Sequence, residues 1–280
     1  MPPRRVAYLG PVGTFSEAAA RLYAPAAEHL AQPNTTAIAH AVEQGAADVG
    51  IVPIENSLEG SVPDTLDLLI HESKLSICAE VVVPIVQCLM VKPGTALDRI
   101  RTVHSHPQSL GQCRHFLERT LPNAEQVAHV SNAAAVQEML KREDAAAIGP
   151  ERSAELYGAQ VLQRGVQDRS PNDTRFVVLA DTDHKPTGKD KTSLCFEVQD
   201  RPGALLSVLQ AISGRGINLR KIESRPSKEQ LGTYLFLVDL EGHRQEPAVA
   251  AALEDIRKFC RPEHTRVFGS YPRFEAIPQR

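Results

Sequence analysis

From residue 6 to residue 180 the chain repeats one phrase: a short apolar run, a turn of glycine or small polar residues, then a helical stretch. Val6–Leu9 runs into Gly10-Pro11-Val12-Gly13-Thr14-Phe15-Ser16-Glu17 and a helix from Ala18 to Tyr23. Thr102-Val103 runs into His104-Ser105-His106-Pro107-Gln108-Ser109 and a helix from Leu110 to Leu117, and Val127–Val130 into Ser131-Asn132 and a helix from Ala133 to Leu140. Alternation of this kind predicts strands covered by helices, an α/β class with polar turns at the strand ends where such folds bind ligands. The extended segments Leu75–Val83 and Ile85–Val91 interrupt the rhythm before it resumes, which predicts two lobes, with crossings near residues 75–85 and 160–175.

After residue 180 the pattern changes. Residues 181–190 have no apolar periodicity and read as a linker. Beyond them come a strand (Thr192–Val198), a helix opened by Arg201-Pro202-Gly203-Ala204-Leu205, two strands (Ile217–Ile222 and Tyr234–Leu240), a helix (Pro247–Phe259) and a last strand (Thr265–Ser270). That order is the ferredoxin-like βαββαβ unit. The predicted division is therefore 1–180, 181–190 and 191–280. About 80 residues make only a thin sandwich, so pairing with a second copy is expected.

Composition removes several classes of function. The 280 residues carry a formal net charge of −3 with Lys and Arg scattered, and there is no Trp, so neither a basic face nor a stacking platform for nucleic acid is offered. The five cysteines include no C-x-x-C pair, which fits a reducing cytosol better than a disulfide framework or a zinc cluster. The start has no export signal core, and the richest apolar run, Val81–Val91, is broken by Pro84 and Gln87 and is too short to span a bilayer. His104 and His106 lack further ligands at metal spacing, so no metal site is expected.

The polar turns supply the candidate site. Asn172-Asp173-Thr174-Arg175-Phe176 sets a hydroxyl, a permanent cation and an aromatic ring before the buried run Val177–Leu179. Glu55-Asn56-Ser57-Leu58-Glu59-Gly60-Ser61-Val62 is dense in small polar groups between a strand and the helix expected over Pro63–His71. Thr14 and Glu17 form a capping box whose helix could receive an anion at its free N–H groups; a capped helix and nothing more explains the same residues. His106 reads as a turn residue at the cleft, and Ser131 as an N-cap.

In this order the blocks Gly10–Ser16, Pro53–Ser57 with Gly60–Val62, His106–Gln108 and Asn172–Phe176 resemble bacterial prephenate dehydratases over almost the whole chain. The tail resembles their ACT regulatory domain, through Gly203-Ala204-Leu205 and Ile222-Glu223-Ser224-Arg225-Pro226. The chain departs from the pattern at Ser109 and Gly111, where alanine-like residues are expected; this lowers helix propensity and is read as touching no chemistry. The resemblance implies a two-lobed catalytic domain like the type II periplasmic-binding proteins. The reaction it implies converts prephenate to phenylpyruvate, water and carbon dioxide without a cofactor.

It further implies that Thr174 assists the leaving oxygen, beside Arg175 as a carboxylate anchor and Phe176 as an apolar wall. Glu55 and His106 are the titratable alternatives as acid, with loop orientation an equal role for Glu55. Thr14, Asn56, Ser57, Ser61, His106, Gln108 and Ser131 are the candidate substrate contacts. In the tail Gly203, Ala204, Leu205, Asn218, Glu223, Ser224 and Arg225 are the candidates for phenylalanine, bound between paired ACT domains and inhibiting the distant cleft. A homodimer or homotetramer is expected, and, since the chain starts directly at the dehydratase-like strand, a monofunctional enzyme. Two alternatives stay open: arogenate dehydratase, and a non-catalytic two-lobed amino-acid sensor.

Overall fold

The structure, a computed structural model, describes residues 2–228 and 233–274. Two compact units are present: Met1–Pro63 with Val81–Phe176, and Asp64–Glu80 with Val177–Arg280.

The first unit opens with β1 (Arg5–Leu9), α1 (Phe15–Tyr23), β2 (Glu28–Gln32), α2 (Thr35–Glu43), β3 (Val49–Asn56) and β4 (Gly60–Ser61). β1 lies parallel to both β2 and β3. Helix α2 packs so tightly on β3 that a Cβ on Gly50 would stand 2.5 Å from Ile38 Cγ2. The polar stretch after β3 is a hairpin, in which Glu55 pairs with Ser61 and Asn56 with Gly60.

The chain continues through α3 (Pro63–Asp67), a π-helical turn at Leu68–Glu72 and β5 (Ser76–Pro84) before the second lobe begins. That lobe contains β6 (Cys88–Val91), β7 (Thr102–Ser105), α4 (Pro107–Gln112), α5 (Arg114–Thr120), β8 (Glu125–Ala128), α6 (Asn132–Met139), β9 (Ala145–Gly149), α7 (Glu151–Tyr157) and β10 (Gln160–Arg164), followed by the return strand β11 (Asp173–Ala180). The first sheet has the order β2-β1-β3-β11-β5, and the second β10-β6-β9-β7-β8; β5 and β11 are the strands on which the chain passes from one unit to the other. In the second sheet the central strands bury both faces. Leu89, Val91, Ala146 and Ile148 join one apolar cluster, and Cys88, Met90, Ala145 and Ala147 the other. Hence β9 reads as a plain run of small apolar residues instead of an alternation.

Several local expectations are corrected. The helix expected over Leu110–Leu117 is two helices broken at Cys113. The one expected over Pro63–His71 widens into the π-turn. The edge strand β2, with the polar sequence EHLAQ, had no sequence signal.

The second unit contains β12 (Asp190–Glu197), α8 (Ala204–Ser213), β13 (Leu219–Pro226), β14 (Tyr234–Glu241), α9 (Pro247–Phe259) and β15 (Arg266–Pro272), in the antiparallel order β13-β14-β12-β15. Leu194, Phe196, Val208, Ile212, Val238, Leu240, Val249, Leu253 and Ile256 form the core between this sheet and its two helices.

Residues 64–80 share this unit through close contacts. The Arg266 guanidinium donates to the carbonyls of Leu69 (2.6 Å) and Leu75 (2.9 Å) and also to that of Ser73, gathering the end of the π-turn. Asp67 pairs with Arg225 at 3.1 Å and Lys228 at 2.7 Å, and Glu80 with Lys191 at 2.8 Å. A Cβ on Gly269 would stand 2.2 Å from the Ile77 carbonyl oxygen, so only glycine fits against this backbone. No described helix is long and apolar enough to cross a membrane.

Candidate active site

All of the block Asn172–Phe176 except its first residue lies within a strand and not ahead of one, because β11 already begins at Asp173. Successive side chains on a strand point to opposite faces, so the hydroxyl and the cation of this block part company. Asn172 and Thr174 turn to the face of Asn56, whose Nδ2 donates to Asn172 Oδ1 at 2.8 Å and to Thr174 Oγ1 at 3.0 Å. Arg175 turns the other way and meets Glu55, Nη2 to Oε2 at 3.0 Å. Phe176, expected as an apolar wall, is 2% exposed, and alternation buries it on the same side as Thr174.

Asn56 is itself 5% exposed. Its Oδ1 accepts from the backbone N–H groups of Leu58 (2.9 Å) and Glu59 (3.0 Å), closing the hairpin turn. Ser57 is exposed and doubly tied to Asp173: its N–H donates to the Asp173 carbonyl at 2.8 Å, and its Oγ accepts from Asp173 N at 2.9 Å. Ser61 sits half-buried on β4 opposite Glu55.

Three of the predicted substrate contacts are engaged as helix caps. Thr14 Oγ1 accepts from Glu17 N at 3.3 Å and donates to Leu9 O at 3.2 Å. The Glu17 carboxylate folds back onto Gly13 N, so the helix end expected to offer free N–H groups to an anion is already filled in part by its own acid. Ser131 Oγ accepts from Ala134 N at 3.0 Å. His106 Nδ1 accepts from Gln108 N at 3.3 Å, which leaves the ring proton on Nε2, and burial holds its pKa below the ordinary histidine value. Gln108 itself is exposed.

From Thr174 a chain of amides runs into the second lobe, Asn172 and Gln87 buried and Gln112 and Asn132 half-buried, of which the sequence singled out only Asn172. Asn172 Nδ2 donates to Gln112 Oε1 at 3.2 Å, and Gln87 Nε2 donates to the same oxygen at 3.3 Å and to Ser109 Oγ at 3.1 Å. Asn132 Nδ2 donates to Ser109 Oγ at 3.0 Å, while Asn132 Oδ1 accepts from Ser105 Oγ at 3.2 Å and His106 N at 3.1 Å. Ser109, read as a mere loss of helix propensity, is thus a buried acceptor for two amides. Gln87 carried a signal: a lone amide within the apolar run Val81–Val91. The lobes also meet where Ser153 Oγ donates to Gly13 O at 2.7 Å and Tyr157 OH to Val12 O at 2.9 Å. Among the described residues no three of His, Cys, Asp and Glu gather as a metal site.

In the second unit a cavity of about 440 Å³ opens at the start of α8 and takes in Gly203, Ala204 and Leu205 with Tyr234, Phe236 and Arg261. Asn218, Glu223, Ser224 and Arg225 do not line it. Asn218 and Ser224 are exposed, Glu223 pairs with Lys221 at 3.4 Å, and Arg225 is held by Asp67.

Two α/β lobes with a polar strand end between them, joined to a small βαββαβ unit with its own cavity, define a cleft enzyme that carries a regulatory module. The chain belongs to the prephenate dehydratase family of carbon–oxygen lyases: the family model described as prephenate dehydratase matches residues 6–184, and that of the ACT domain residues 192–258. It is 42% identical over 270 residues to a bifunctional chorismate mutase/prephenate dehydratase of Aquifex aeolicus (strain VF5), covering 96% of this chain and 74% of that protein. Identity to a prephenate dehydratase of Amycolatopsis methanolica is 39% over 277 residues, with coverages of 98% and 90%. A crystal structure of prephenate dehydratase from Arthrobacter aurescens in complex with L-Phe superposes with a TM-score of 0.88 at 36% identity, covering 96% of this chain and 90% of that one.

Proposed function

We propose that this chain converts prephenate to phenylpyruvate with Thr174 as the donor to the departing oxygen. The observation that carries this reading is the 3.0 Å contact in which Thr174 Oγ1 accepts from the buried Asn56 amide. An oxygen that accepts there keeps its own proton for a second partner. In the reaction the bond from the ring to its carboxylate breaks and releases carbon dioxide. That electron pair completes the aromatic ring and expels the ring hydroxyl, which leaves as water once protonated. Electrons balance without an oxidant or reductant. A threonine is too weak an acid to ionise, so its contribution is a preorganised hydrogen bond to the charge growing on the leaving oxygen.

Arg175, on the opposite face and held by Glu55, anchors a substrate carboxylate, for which a guanidinium that never deprotonates is suited. Glu55 orients that arginine. Phe176 acts from beneath, as the packing that fixes Thr174. Thr14, Asn56, Ser57, Ser61, His106, Gln108 and Ser131 complete the cleft, His106 as a neutral Nε2–H donor.

Residues 1–180 form the catalytic domain in this reading, 181–190 the connection and 191–280 the ACT domain. Phenylalanine is the effector of the latter, received where Gly203, at φ +80°, opens α8, with Ala204 and Leu205 beside it. Asn218, Glu223, Ser224 and Arg225 belong to the surface that a second copy covers, which makes the working form a homodimer or homotetramer in the cytosol. The test is turnover of prephenate by the purified protein, compared with arogenate, with and without phenylalanine, alongside the mass in solution. Phenylpyruvate formation suppressed by phenylalanine is expected; no turnover of either substrate would overturn the reading.

A further inference from the structure

The second unit has a further cavity, of about 350 Å³, lined by Glu80, Lys191, Arg220, Arg273 and Phe274. It lies at the other end of the sheet from the hollow beside α8. Strand β12 runs between the two: Glu197, its last residue, lines the first, and Lys191, its second, lines this one. Six residues of extended chain set them about 20 Å apart.

Strand register gathers the charges here. Lys191 stands opposite Glu241 on β14 and Tyr271 on β15, and Arg273 follows β15 directly. Glu80 receives the Lys191 ammonium on both oxygens, at 3.0 and 2.8 Å, and the Phe274 N–H at 2.8 Å. Arg220 and Arg273 both turn to Glu241, and to the same oxygen of it, Oε1. Three cations therefore meet two carboxylates, and one positive charge is left over. The Lys191 and Glu80 side chains are only 12% and 3% exposed, so water screens this part of the cavity poorly. Arg273 uses Nη1 on Glu241, and its Nε and Nη2 donate to no described residue. Those two nitrogens form the edge of a guanidinium that takes a carboxylate side-on, as Arg142 does with Asp144 at 2.9 and 3.1 Å.

We propose that this cavity is a binding site for a small organic carboxylate with an apolar body, separate from the cavity at α8. A single uncompensated charge calls for one anionic group. The unused edge of Arg273 matches the two oxygens of a planar carboxylate, and Phe274 gives the apolar body a wall. The volume is in the range of small-molecule sites. The inference does not depend on the reading of Thr174.

The test is a crystal structure of the full chain with 4-bromophenylacetate, joined to calorimetric titration of the same probe at fixed ionic strength. Anomalous signal from bromine is expected beside Phe274, with the carboxylate on Arg273. Arg273→Gln keeps a polar side chain and removes the fork, and should weaken binding at this site about 10-fold or more. Glu241→Gln removes the carboxylate that competes for both guanidiniums, and should tighten binding about 3- to 10-fold. A purely structural role for these ion pairs predicts no such gain. Acetate has the charge without the apolar body and should bind about 10-fold more weakly or worse. The inference is overturned if bromine is found only elsewhere, if Arg273→Gln binds as well as the unaltered chain, or if Glu241→Gln weakens binding. Acetate binding as tightly as the aryl acid, or inorganic phosphate binding more tightly, would overturn the chemical class.

Discussion

The Asn56 amide and the Thr174 hydroxyl lie 3.0 Å apart, with the amide as donor and both side chains buried. Polarity here separates two substitutions of nearly equal size. Thr174→Val keeps the volume and removes the proton; kcat for prephenate should fall about 10²- to 10³-fold, the usual loss of one preorganised donor, with KM nearly unchanged. Thr174→Ser keeps the proton and should retain most of the rate. Equal losses in the two variants would mean that the methyl group, and not the hydroxyl, matters.

Arg175 and Glu55 form the second pair, 3.0 Å apart on the other face of the same two strands. A lysine cannot reproduce the planar fork of a guanidinium. Arg175→Lys is therefore expected to raise KM about 10-fold or more, with a smaller effect on kcat. For Glu55→Gln the orienting role gives a raised KM and an unchanged acid limb in the pH profile of kcat/KM. Disappearance of that limb would make Glu55 the acid.

The contact of Arg266 with residues 64–80 is one of several that join the ACT sheet to the chain segment that follows the β3–β4 hairpin. Its guanidinium serves three carbonyls, and burial pulls its pKa below the ordinary arginine value. Arg266→Met leaves those carbonyls without their donor and should cost about 1–3 kcal/mol in urea unfolding. If this contact also carries the effector signal, the concentration of phenylalanine for half inhibition rises while kcat without phenylalanine holds. Loss of stability with unchanged inhibition would limit the residue to a structural part.

How far the sequence foretold all this follows from the range of the forces involved. The β-α rhythm and the βαββαβ tail were legible because burial imposes a period on adjacent residues. β2 escaped because an edge strand needs no apolar face, and its EHLAQ carries none. The polar blocks of the cleft were legible as local clusters. What was not legible is which face each side chain takes: Thr174 and Arg175 adjoin in sequence and diverge by the alternation of a strand that starts at Asp173, four residues before the expected run at Val177. Nor was the partnership of Asn172 with Gln112, which joins residues 60 apart. Ser109 looked like a flaw in a helix only because Gln87 and Asn132, which give it a purpose, lie more than twenty positions away.

The same limit applies to His104 and His129, whose Nδ1 and Nε2 lie 2.8 Å apart beneath the second sheet's edge. One ring must offer a bare nitrogen to the N–H of the other, so the two rings cannot both be imidazolium and keep this contact. Burial, then the charge of His129, pulls the His104 pKa below 6.5, with Arg142 acting in the same sense and Glu138 and Asp144 opposing. A histidine depressed in the folded state binds fewer protons there than in the unfolded chain, so stability rises with pH through this window. The pair's contribution should be complete above pH 6.5 and decline as pH falls through the depressed value. Melting temperature measured from pH 7.5 to 5 is expected to drop on the acid side, and His104→Gln, which keeps a polar group at Thr102 and does not titrate, should flatten that drop. A variant whose melting temperature falls in parallel with the unaltered chain would place the acid sensitivity in other groups.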